Sequence, residues 1–195
     1  MGWRTHYFGN ENPTLGRRVV HHSMIAVLAL AAYGYWNDFI PDDWLPWWGL
    51  GVSAVLAALL TGWLAWRLLC SPRPGYAVGR SELVLLLPLT FAAAGGFLWM
   101  ALVHGAAGAY TRLFGVTHAE VVTLRLERQY GRQCHYQAEG WRLEQAMPGH
   151  LCVRSSYYAS FPGHRVEMEL RGQRSLFGFN VSGTHHRADL DSGLR

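Results

Sequence analysis

The chain has no lysine, and all 17 of its basic residues are arginine. Together with abundant Ala and Gly this reads as the codon bias of a GC-rich, bacterial genome. It is not the signature of a nucleic-acid surface, although arginine does recognise phosphate well. Residues 113–195 hold ten arginines and eight acidic residues, interspersed along the segment, so the net charge of +4 makes no case for DNA or RNA. Charge of either sign is scarce, at 15% of residues against roughly 25% in soluble proteins. Most of the deficit lies before residue 113, which excludes an ordinary water-soluble first half. Catalytic signatures are missing as well: there is no G-x-S-x-G, H-E-x-x-H, P-loop or dinucleotide fingerprint. The expectation is a non-catalytic protein with no cofactor.

What is present is long apolar runs. A transmembrane helix needs about 20 largely apolar residues, and three stretches qualify, at residues 19–36, 47–70 and 83–110. "ALA" at 29–31 resembles a signal-peptidase site, but the length of chain before that core and the aromatics after it favour an uncleaved anchor. Short arginine-bearing segments mark the cytoplasmic side. Arg4, Arg17 and Arg18 precede the first run, Arg67 lies at the end of the second, and Arg73 and Arg80 lie between the second and third. "NDFIPDDWLP" between the first two runs has three aspartates and no basic residue. The expected fold is therefore membrane α plus β: a cytoplasmic segment 1–18, three transmembrane helices within 19–112, a periplasmic β-domain 113–184 and a flexible tail 185–195. The expected location is a bacterial inner membrane, with the N-terminus in the cytoplasm and Trp36, Trp44, Trp47 and Trp48 at the outer interface.

Small residues recur at spacing four, which lets helix backbones approach closely. The expected packing faces are Gly49, Ser53 and Ala57 in the second helix, and Ala92, Gly96, Ala101, Gly105 and Ala109 in the third. These faces suit packing among the three helices or against a partner helix. Pro88 should kink the third helix or sit near its start. His21 and His22 lie at the opposite end of the bilayer from His104, so they cannot grip one haem iron together. No Asp or Glu lies in the apolar cores, which leaves the histidines interface and packing roles.

After residue 116 the pattern changes to alternation, the mark of half-buried strands. Val122, Leu124 and Leu126 share one face; so do Val166, Met168 and Leu170, with Glu167 and Glu169 opposite on a solvated face, and so do Phe177, Phe179 and Val181. "CHYQA", "WRLEQ" and "LCVR" bring the expected number of strands to about six, with a Gly172-Gln173 hairpin. The product is a small antiparallel sheet or barrel. So small a domain benefits from a staple, and Cys134 and Cys152 in an oxidising compartment are expected to form a disulfide. The alternative is a metal or redox site of Cys134, His150 and Cys152. His135 is left out of it, because adjacent strand residues face opposite ways. Tyr157, Tyr158 and Phe161 in "SSYYASFPG" either plug the core or form a partner-binding patch.

"YQAEG" and "PGHRV", read as Y-x-x-x-G and P-G-x-x-V, resemble strands that recur beside transmembrane helices in the external β-domain of small bacterial membrane proteins. The resemblance covers residues from about 121 to 183. It implies a structural domain and supplies no catalytic residue. The functional expectation is a protein held in the lipid bilayer that presents the β-domain to a protein partner, as an accessory subunit of an envelope complex or as an immunity protein against a toxin acting in the periplasm.

Overall fold

Thr14 starts the first helix by accepting a hydrogen bond from the Arg17 backbone N–H at 3.4 Å, the usual way an N-cap relieves an orphan donor. In the computed structural model, which describes residue 7 and residues 12–70, 80–129 and 134–191, that helix is α1 (Leu15–Trp36). It is followed by β1 (Phe39–Pro41), α2 (Leu45–Cys70) and α3 (Arg80–Trp99). A π-helical segment, Met100–Ala106, then leads into α4 (Ala107–Phe114), so the third apolar rod runs on to Phe114. Three helical spans, Leu15–Trp36, Leu45–Cys70 and Leu85–Phe114, are long and apolar enough to cross a membrane. Arg4 and Arg73 lie outside the described residues.

The helices pack unequally. Leu45, Gly49, Ser53, Ala57 and Thr61 form the buried stripe of α2, which meets α3, and the Ser53 and Thr61 hydroxyls donate to carbonyls of their own helix. A Cβ added at Gly49 would strike Val103. Helix α1 instead crosses the π-helical segment, where Gly34 and Gly105 leave no room for a side chain: a Cβ at Gly34 would come within 2.7 Å of the Gly105 nitrogen. Pro88 sits inside α3, in its first half.

Beyond the helices the chain forms a curled antiparallel sheet. Its further strands are β2 (Val116–Arg128), β3 (Tyr136–Glu139), β4 (Leu151–Cys152), β5 (Arg165–Ser175) and β6 (Gly178–Asp189), with a short helix α5 (Ser155–Ser160) before β5. The order is β1-β6-β5-β2-β3-β4. The expected alternation holds on the inner face, where Val122, Leu124, Leu126, Val166, Met168, Leu170, Phe179 and Val181 form the core.

Several local expectations give way. The first edge strand comes from the aspartate-rich linker between α1 and α2, whose Phe39 and Ile40 are almost fully buried. "WRLEQ" starts as a 3-10 turn, Trp141–Leu143, with only Leu143 buried, so it is not a strand. Cys134 and His135 precede β3, and "SSYYAS" is a helical turn. The β5–β6 hairpin turns at Leu176 and Phe177. Gly172 instead lies inside β5, opposite a bulge that leaves Ser182 of β6 unpaired, and is pressed against the Asn180 carbonyl. Phe177 therefore leaves the sheet face and packs on Tyr110 and Trp44, with ring centroids 5.3 and 6.1 Å away. The tail does not fray at residue 185: His185 and His186 pair with Glu169 and Met168 in β6, while residues 192–195 lie outside the described part. Glu169 is not solvated either, because the otherwise exposed Arg171 and Arg187 both bond its carboxylate and cover it.

Candidate functional site

Strand β4 is two residues long, and its register sets Cys152 opposite Gln137. That brings Cys152 back to Cys134, just before β3, and the two form a disulfide with Cα atoms 5.7 Å apart. Cys134 is buried and Cys152 exposed, while Cys70 is free and exposed at the end of α2. His150 joins the pair: its ring nitrogen and the two sulfurs all lie within 4.8 Å of one another. His135 is not part of this group. A cysteine binds zinc only as a free thiolate, so a metal held by this pair and the disulfide exclude each other here.

The disulfide closes a loop that docks on the linker between α1 and α2. Gln145 donates to Asp43 at 2.8 Å, and Arg142 reaches Asp42 at 3.9 Å and Glu120 at 3.3 Å. Arg174 completes a ring of four charges by pairing with Asp42 at 3.6 Å and Glu120 at 3.5 Å. Burial pushes the Asp38 carboxyl above its ordinary value, and the charge of His150 partly opposes that. Each of the three linker aspartates thus answers to a residue of the loop. The sequence signal was there, in three acids between two apolar runs, but their partners lie about a hundred residues away.

Tyr157, Tyr158 and Phe161 pack half-buried against the sheet core. Tyr158 stacks on Tyr136 with centroids 4.7 Å apart, Phe161 stacks on His186 at 4.8 Å, and the Tyr157 hydroxyl meets His186 Nδ1 at 2.7 Å. Nearby, His164 Nδ1 pairs with Asp189 at 3.1 Å. These contacts tie α5 and the residue after it to β3 and β6.

Among the helix residues, Gly49, Ser53 and Ala57 lie in the α2 seam and Ala101 and Gly105 are buried in the π-helical segment. Ala109 is half-buried, and Ala92 and Gly96 are exposed. It is Gly95 that approaches Ala57, one helical step round from the expected face. Ala92 and Gly96 line an open apolar groove of about 740 Å³ between α1 and α3, whose rim includes Met147 of the disulfide-closed loop. His104 is buried between Trp99 and Phe39, whereas His21 and His22 bond backbone carbonyls near the start of α1.

Compared with known proteins, the chain matches no family model, no curated sequence and no solved structure.

Proposed function

We propose that the chain is a non-catalytic, multi-pass inner-membrane protein that holds a disulfide-stapled β-domain in the periplasm to bind another protein. An accessory subunit of an envelope complex and an immunity protein against a periplasm-acting toxin are the two settings that suit it. The observation that carries the reading is the polarity of the helix ends. Arg17, Arg18 and Arg67 lie at the end away from the sheet, the side that basic residues mark as cytoplasmic. The sheet, the aspartate linker and the exposed Trp36, Trp47 and Trp48 lie at the other end, where a tryptophan belt meets the headgroups. The half-exposed rims of Tyr157, Tyr158 and Phe161 are the surface on offer to a partner. Co-purification from gently solubilised membranes should recover one reproducible second protein. Recovery of this chain alone under several detergents would overturn the binding role.

The convergence of Cys134, His150 and Cys152 supports a second reading, a metal-handling or redox membrane protein. Metal analysis of the purified full chain separates the two. Stoichiometric zinc or copper that is lost in Cys152→Ser would favour the second reading.

A further inference from the structure

The cavities along the helices are walled by apolar side chains. One groove differs. It lies where the outer ends of α1 and α4 meet the sheet, has a volume of about 590 Å³, and is lined by Trp36, Asp38, Arg112, Gln173, Asn180 and Ser182 among others. Its floor is set by the last residue of α1 and the last turn of α4, so it opens at the level where apolar spans end and headgroups begin. Arg171 also borders it, but its guanidinium is engaged by Glu169. Arg112 is exposed and makes no ion pair or hydrogen bond among the described residues. We infer that this groove is a binding site for the phosphodiester headgroup of a membrane lipid, with the phosphate on Arg112.

Three features point that way. An arginine fork matches phosphate oxygens in paired hydrogen bonds. The Gln173 amide supplies a polar contact for the ester oxygens, whereas the Asn180 amide is committed to Asn37 and the Ser182 hydroxyl to the Arg171 carbonyl. Asp38 puts one acid in the same lining, which disfavours a dianion and suits a diester carrying a single charge. A guanidinium that merely snorkelled to the interface would need neither the enclosing sheet residues nor a preference among phosphates.

The inference rests on the membrane placement proposed above. The wild-type full chain, Arg112→Gln, Arg112→Lys and the control Arg125→Gln are purified from membranes in mild detergent, and phospholipid phosphorus is measured per chain. Wild type and Arg125→Gln should retain stoichiometric phospholipid through washing. Arg112→Gln should bind about tenfold more weakly, and Arg112→Lys should fall between. Millimolar inorganic phosphate added to the washed protein should leave the lipid in place. Equal retention by wild type and Arg112→Gln would overturn the site, and displacement by inorganic phosphate would overturn the assignment to a lipid headgroup. Recovery of the chain in the aqueous fraction would instead sink the membrane placement, which the same fractionation reads separately.

Discussion

The Asn180 side-chain amide donates to the Asn37 side-chain oxygen at 3.0 Å, joining residues 143 positions apart. Both side chains are buried, and beside them the Val181 backbone N–H bonds the Asp38 carbonyl at 2.9 Å. This is the joint between the helices and the sheet. Removing one partner strands the other without water, so Asn180→Ala should cost about 1–3 kcal/mol. Thermal unfolding in detergent would read the loss as a lowered midpoint, and an unchanged midpoint would count against the joint.

Gly34 and Gly105 form the crossing of α1 with the π-helical segment, and neither has space for a Cβ. Overpacking of this kind costs about 1–3 kcal/mol. Gly105→Ala should therefore lower the unfolding midpoint, whereas Gly96→Ala, with nothing within 4 Å of the added carbon, should leave it unchanged. The contrast between the two variants is the measurement.

The disulfide and the topology can be tested together. In cells, Cys134 and Cys152 should resist alkylation until reductant is added, while Cys70 should react without it once membranes are permeabilised and the protein unfolded. A C-terminal alkaline phosphatase fusion should be active. Cys134→Ser should cost about 3 kcal/mol on the chain-entropy view of an 18-residue loop, and the docked Arg142 and Gln145 should lose protection in hydrogen exchange. An inactive fusion with a freely reactive Cys134 would reverse the orientation.

Acid should weaken the sheet through Glu169 and Asp191. Hydrogen bonds and charge from Arg171 and Arg187 hold Glu169 below its usual 4.5, and bonds from the Arg165 backbone and side chain hold Asp191 below its usual 3.8. The native state therefore binds fewer protons than the unfolded chain. Stability is full above pH 4.5 and falls as pH drops through the lowered native values. In a pH series of unfolding midpoints, Glu169→Gln should flatten that acid limb; an unchanged slope would remove Glu169 from the account.

Strand parity survived where one face is buried along its whole length, as at Val122, Leu124 and Leu126. It failed where a turn or bulge intervened. Phe177 shares parity with Phe179 but sits in the hairpin, and at Gly172 the register shift is taken up by Ser182 of β6, so β5 runs on past an apparent turn signal. Spacing four likewise marked the α2 seam at Gly49, Ser53 and Ala57. It missed on α3, where Gly95 and not Gly96 faces Ala57, because composition identifies small residues without choosing between two adjacent faces.

By itself the sequence determined three apolar spans and a following sheet with a defined inner face. Those features depend on local hydrophobic period and chain length, which a linear reading contains. Only the tertiary structure decided that the linker between α1 and α2 is an edge strand, that the disulfide-closed loop docks on its aspartates, and that residues 185–189 belong to β6. Each of these depends on a partner far away in sequence. The backbone groups of β1 and the carboxylates of Asp42 and Asp43 find their hydrogen bonds and charges only when the remote segments arrive.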